Sequence, residues 1–241
     1  MKSKLFLPLI VVAGAAAAVG FYLFQSPPGN GAPPPAGEST PAPVAAPVVD
    51  LAALQTKATA GDPAAQTTLA RAYLTGGGVK MDVKAALKWL TQATNQNYAE
   101  AYATLGELAQ AGQGMPVNLS EAVRLYQLAA AGGSVTAQYD LAYLYEQGTG
   151  VKQDEKAAAH WYQLAAEGGD QTAQYDLGQR YQLGVGVAAS HVDAFKWLSL
   201  AAAQGQPDAT KLLPSVKAQM SAEELRQATE LIAQFVPRPG N

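Results

Sequence analysis

The chain has 241 residues, 49% of them apolar and only 15% charged, with a net charge of −3. That length holds one sizeable domain plus appendages, and the missing basic excess excludes the positive stripe that nucleic-acid binding needs. With no cysteine, disulfides, thiol nucleophiles, cysteine-based zinc sites and a lipidated cysteine anchor are excluded too.

Lys2 and Lys4 precede an uncharged stretch from Leu5 to Phe24. As a helix rising ~1.5 Å per residue it spans roughly 30 Å, the hydrocarbon thickness of a bilayer. Pro8 falls in the first turn, where its missing N–H is tolerated. Phe21, Tyr22 and Phe24 gather at the far end, as interfacial aromatics do. Residues 1–25 are read as an N-terminal signal-anchor, a single pass through the inner membrane. The lysines keep its start in the cytoplasm and everything after Gln25 is placed outside, in the periplasm of a bacterium. The competing reading is a cleaved signal peptide cut among Ala15 to Ala18, which would leave the greasy Val19–Phe24 as the mature terminus. Both readings export the rest of the chain.

Residues 26–48 form a linker: Ser26 to Pro47 holds eight prolines and a single charge, Glu38. Such a composition favours extended, core-free conformations, and it is read as a spacer. Residues 49–61 follow as a half-unit, a lone helix covering the start of what comes next.

From Asp62 to Gln206 the chain repeats itself every 36 residues, four times: 62–98, 99–134, 135–170 and 171–206. Ala65, Ala101, Ala137 and Ala173 hold one phase; Leu69, Leu105, Leu141 and Leu177 another; Gly76, Gly112, Gly148 and Gly184 a third; Trp89, Leu125, Trp161 and Trp197 a fourth. A fixed period of this size marks a solenoid whose units touch only their neighbours. In each unit a helix A opens at a cap (Asp62-Pro63, Ser134, Asp170, with Tyr98 the exception) and ends in a glycine loop. Helix B then opens at Asp82, Asn118, Asp154 or Ser190, all good capping residues. Asn118/Glu121 and Ser190/Asp193 are spaced as capping boxes. Residues 207–236 supply capping helices, the first expected to break at Pro214 and the second opening at Ser221 with Glu224 three residues on. Residues 237–241 are a tail. The fold class is all-α, a right-handed α/α solenoid of four helix-turn-helix repeats with capping helices at both ends.

The pattern Ala137, Leu141, Tyr145, Gly148, Gly150-Val151, Asp154, Lys156-Ala157, Trp161, Ala165-Ala166, Gly169 resembles the Sel-one-like repeat (SLR) family, relatives of tetratricopeptide repeats. Unit two departs from it, with Ala109 for the tyrosine, Met115 for the valine and Leu125 for the tryptophan, and is expected to be the softest unit. The resemblance implies a non-catalytic adaptor or scaffold that binds a protein or peptide, in bacteria often in envelope assembly, signalling or host contact. Cysteine-rich relatives linked to β-lactam binding are no guide here, because their paired cysteines are missing.

By the tetratricopeptide-like arrangement helix A lines the concave face. The groove phases are Thr136, Tyr139, Tyr143 and Glu146 in unit three, and Thr172, Tyr175, Gln179 and Gln182 in unit four. Unit two adds Glu100, Glu107 and Gln110, and unit one Thr67 and Arg71. Tyrosine offers area, a polar tip and little rotamer entropy to lose, which suits recognition. Tyr143 is expected to face the groove, whereas Tyr139 and Tyr175 sit at a phase that also packs.

No catalytic, metal or cofactor site is read from the chain. His160 and His191 lie in different units without metal-ligand spacing. The glycine loops lack the Gly-Lys-Ser/Thr ending of a phosphate loop and recur in every unit. The alternative to an adaptor is a structural envelope component assembling through the solenoid's ends; an envelope hydrolase would need a catalytic cluster the sequence does not display. The oligomeric state is not legible.

Overall fold

The computed structural model describes residues 50–238. The expected membrane anchor, the proline-rich linker and the last residues of the tail lie outside that range. The described residues contain eleven helices and no strands. A lone α1 (Leu51–Thr59) precedes four A/B pairs: α2 (Pro63–Thr75) with α3 (Val83–Thr94), α4 (Ala99–Ala111) with α5 (Leu119–Ala131), α6 (Val135–Gln147) with α7 (Glu155–Glu167), and α8 (Gln171–Leu183) with α9 (His191–Ala203). α10 (Pro207–Lys217) and α11 (Ala222–Ala233) close the array. From α1 to α10 each helix packs on its neighbours in sequence, and α11 packs on α9, which makes this an α/α solenoid. Among the described residues no helix is long and apolar enough to cross a membrane.

Capping explains where the helices start. Asp62, Ser134 and Asp170 accept backbone N–H bonds at the A helices, and Tyr98 makes no such bond. Asp82, Asn118, Asp154 and Ser190 do the same for the B helices. The expected capping boxes at Asn118 and Ser190 do not form. Each B-helix cap has already given its own N–H to the A-helix carbonyl nine residues earlier: Asp82 to Tyr73, Asn118 to Ala109, Asp154 to Tyr145, Ser190 to Tyr181. With that donor engaged, Glu121 turns to Arg124 and Asp193 accepts from the Ser190 hydroxyl at 2.6 Å. Ser221 is free of such a tie, and there the reciprocal box with Glu224 is complete.

The reversal after each B helix needs a left-handed residue, supplied by Gly133, Gly169 and Gly205. Unit one uses Asn97 instead, with φ 57°, because asparagine tolerates this region better than other side chains. A clasp then ties each A helix to the helix before it. Gln66, Gln138 and Gln174 are buried, and each side-chain amide donates to a carbonyl eight residues back, on Ala58, Ala130 and Ala166. Unit two has Tyr102 at this phase, and its hydroxyl reaches Thr94 in the same way.

Alanines at recurrent positions are fully covered, among them Ala86, Ala122, Ala158 and Ala194, and let A and B approach closely. The fourth-phase tryptophans pack into clusters shared between units: Trp161 lies against both the cluster of units two and three and that of units three and four, and Trp197 is buried in the latter. Unit two keeps a packed core despite its departures from the pattern. Ala109, Leu125 and Tyr126 are buried and Met115 and Tyr102 pack beside them, so the volume lost at one phase returns at others. Pro214 does not break α10, which continues to Lys217. The ring removes one helical hydrogen bond, and burial of Ala209 and Val216 together with Leu198 of α9 offsets that loss. After α11 the chain doubles back: Phe235 meets Trp197 edge-on at 5.6 Å, and Arg238 pairs with Glu167 at 2.9 Å.

Candidate functional site

Among the four repeats, like helices of successive units meet on the A side, α2 with α4 and α4 with α6, while at the C-terminal end α8 meets α10 and α9 meets α11. Over units one to three the helices thus approach more closely on the A side than on the B side, which makes the A-helix face the inner one. On the outer side α11 and the returning chain cover α9.

The predicted groove residues differ in how free they are. Tyr143 is half-buried and belongs to none of the core clusters. Tyr139 packs into the core of units three and four, its ring edge-on to Tyr162 at 5.5 Å rather than beside Tyr175, and its hydroxyl turned to the Asp176 carboxyl. Tyr175 leans toward α9 and α10 and its hydroxyl accepts from Gln179 at 3.0 Å. Gln182 is half-buried at the end of α8, and Thr136 and Thr172 are exposed. Thr67, expected in the groove, is buried, its hydroxyl donating to the Pro63 carbonyl; threonine is too short to reach past its own helix at a phase where tyrosine protrudes.

Arg71 spans two units. Its Nε donates to the Thr104 hydroxyl at 3.0 Å, and its guanidinium lies 3.8 Å from Glu100 and 3.9 Å from Glu107. Partial burial pushes the Glu107 carboxyl above its ordinary range, against the pull of Arg71. Glu146 is occupied inside the fold: it accepts from the Tyr162 hydroxyl at 2.7 Å and pairs with Arg180 at 2.7 Å. Arg180 is only 5% exposed. It also binds Glu155 at 2.8 Å and lies 4.9 Å over the Tyr162 ring, so this group locks α6, α7 and α8 together. Gln110, at the phase of Glu146, receives the Tyr126 hydroxyl. In units two and three a B-helix tyrosine thus threads between A helices and anchors its tip at the groove floor.

The sequence reading passed over one phase, the residues Thr68, Thr104, Asp140 and Asp176. The threonines are locally satisfied, each hydroxyl bonded to the carbonyl four residues back. The aspartates are half-buried. Asp140 is pushed up to about 7 by desolvation, then by the charges of Glu107 and Asp170. Asp176 is also pushed up to about 7, by desolvation first and Glu146 next, with the Tyr139 hydroxyl and Arg180 pulling the other way. The signal was available: two acids appear at a helix phase that two neutral residues fill in the other units.

The inner face of units three and four is thus an aromatic and acidic surface on a rigid frame. Among the described residues no group of three or more His, Cys, Asp or Glu is placed to hold a metal ion. A family model described as Sel1 repeat matches four consecutive stretches, residues 63–98, 99–134, 135–170 and 171–206. Among solved structures, the chain is similar to a protective antigen present in uropathogenic Escherichia coli strains that displays an SLR fold. The two share 32% identity at a TM-score of 0.65, over 80% of this chain but 42% of the other. The chain therefore spans less than half the length of that antigen. It is similar also to a Sel1 repeat protein from Oxalobacter formigenes, with 30% identity and a TM-score of 0.65 over 78% of this chain and 80% of that one. No curated protein matches the chain.

Proposed function

The chain belongs to the Sel1 repeat family, whose members generally mediate protein–protein interaction on a typically non-catalytic scaffold, and from that premise we propose that it is an adaptor of the bacterial cell envelope that binds a protein or peptide along its A-helix face. The single observation that carries this reading is Tyr143. It is a large aromatic on the inner face with no place in any core cluster, beside a frame locked by Arg180, Glu146 and Glu155. A preformed surface loses little entropy on binding. Residues from adjacent units then add small increments along the groove.

The N-terminal segment anchors this domain to the inner membrane and the proline-rich linker sets its reach, with release after signal cleavage as the other outcome. Assembly through the solenoid's ends is the weaker reading, because α1 and the α10–α11 pair already bury the terminal apolar faces. The test is capture of partners by cross-linking from Tyr143 and Thr136, compared with cross-links placed in α1 and α11. Adducts from the groove positions that disappear in Tyr143→Ala support recognition. Adducts only from the ends, joining copies of the chain, overturn it.

A further inference from the structure

Charge on the solenoid is segregated by helix type. The four A helices carry Glu100, Glu107, Asp140, Glu146 and Asp176 against two cations, Arg71 and Arg180. The B helices carry slightly more cations than acids. Both A-helix arginines are already engaged, Arg71 with Thr104, Glu100 and Glu107, and Arg180 with Glu146 and Glu155. Asp140 and Asp176 make no ion pair, although Asp176 lies near Arg180, whose guanidinium is directed at Glu146 and Glu155.

Stacking does not require an acid at this phase, although in unit four Asp176 also receives the Tyr139 hydroxyl. Thr68 and Thr104 fill the same phase in units one and two and bond to their own helices. An ionised carboxylate at a desolvated site, with other carboxylates nearby, stands at a cost to the free protein.

Resting on the groove reading above, we infer that the face of units three and four takes an extended segment bearing lysine or arginine, one cation to Asp140 and one to Asp176, with Tyr143 packed alongside. The two aspartates are one unit apart on α6 and α8. α6 and α8 meet where the Tyr139 hydroxyl of α6 turns to Asp176, and an extended chain advances about 3.3 Å per residue, so one short segment can span both carboxylates.

Binding weakens with salt and as pH falls from 8 to 6, because Asp140 and Asp176 take up protons near pH 7. The groups facing them on α4 to α8 and at the α8 cap are Glu107, Tyr126, Tyr139, Glu146, Tyr162, Asp170 and Arg180.

The experiment is selection of a random displayed peptide library on the full-length chain in mild detergent, followed by affinity measurements on the enriched peptides. The expected result is enrichment of peptides carrying two Lys or Arg residues close together. Affinity should fall at least roughly tenfold in the Asp140→Asn/Asp176→Asn double variant. Those substitutions remove buried charge, so a melting temperature at or above the parent's separates lost binding from lost folding. Enriched peptides that are acidic or uncharged, need Tyr143 and bind the double variant equally well overturn the cation inference and leave the groove in place. Enriched peptides indifferent to both Tyr143→Ala and the double variant overturn the groove itself.

Discussion

Replacing Asp176 by Asn is expected to stabilise the protein at pH 8 and to do nothing at pH 4. The Asp176 carboxyl moves from an ordinary 3.8 to about 7 on folding, desolvation being the main cause and the Glu146 charge the next. A folded value raised above the unfolded one means that the native state holds its proton longer. The associated stability is fully present below about pH 4 and drains away as pH rises toward 7, after which the profile is flat. At ~1.4 kcal/mol per factor of ten, the full difference sets an upper bound of about 4 kcal/mol. The side chain keeps some contact with water, and such sites relax, so about 1–2 kcal/mol is the working figure. For a domain of this size that is roughly 2–8 °C in melting temperature at pH 8. Asp140→Asn follows the same course, its carboxyl raised to about 7 by desolvation, Glu107 and Asp170. The assay is thermal unfolding of parent and variants between pH 4 and pH 8.5, read as the difference between them so that other titrating groups cancel. A difference independent of pH, or a variant less stable at pH 8, refutes the account of these two sites.

Other substitutions test separate parts of the molecule. Arg180→Met leaves Glu146 and Glu155 without their cation; since both carboxylates retain some exposure, the cost is about 3 kcal/mol, visible as a fall of roughly 6–12 °C in melting temperature. Gln174→Leu removes the bond to the Ala166 carbonyl and the acceptor of Gln204, at about 1–3 kcal/mol by chemical denaturation. Gly186→Ala and Gly78→Ala share a positive φ, but a Cβ at residue 186 would stand 2.0 Å from the Glu155 carbonyl oxygen while at residue 78 it meets nothing. Unfolding measurements should find more than about 4 kcal/mol lost at the first and only about 1–2 at the second. Tyr143→Ala should lower affinity for a selected groove peptide about tenfold or more and move the melting temperature by less than about 2 °C.

Most of the fold was legible because its determinants recur. A cap or glycine seen four times at a spacing of 36 is hard to misread. What the pattern missed depends on groups far apart in sequence or on backbone atoms. The empty capping boxes follow from an N–H already given to a carbonyl nine residues back. The continuation of α10 through Pro214 follows from its packing on α9. At the groove, helical phase placed Tyr139, Tyr143 and Tyr175 on the right helices. It could not show that Glu146 is taken by Arg180 and Tyr162, since that network joins three helices. Asp140 and Asp176 escaped because aspartate on an A helix reads as solvated charge until the neighbouring helix is seen to cover it.

In a repeat protein the positions that agree between units are those the stacking itself demands, and they say little about the partner. Here the demanded set is the alanines of the A–B contact, the B-helix caps and the glutamine clasp, which unit two reproduces with Tyr102. Specificity has to reside where the period breaks on the inner face. One such break runs Thr68, Thr104, Asp140, Asp176, and another runs Arg71, Glu107, Tyr143, Gln179. In units one and two these phases are closed on themselves, Arg71 holding Thr104 and facing Glu100 and Glu107. In units three and four they leave carboxylates and an aromatic ring without a matching cation. The A helices of units one and two carry two acids against Arg71, whereas those of units three and four carry three against Arg180 and leave Asp140 and Asp176 outside its ion pairs, so substitutions that neutralise units three and four should change binding far more than equivalent ones in units one and two. Arg71→Ala, which unbalances the closed half, supplies the control: a loss of stability of about 1 kcal/mol with groove-peptide affinity held within about twofold, measured by denaturation and by titration of the same preparation.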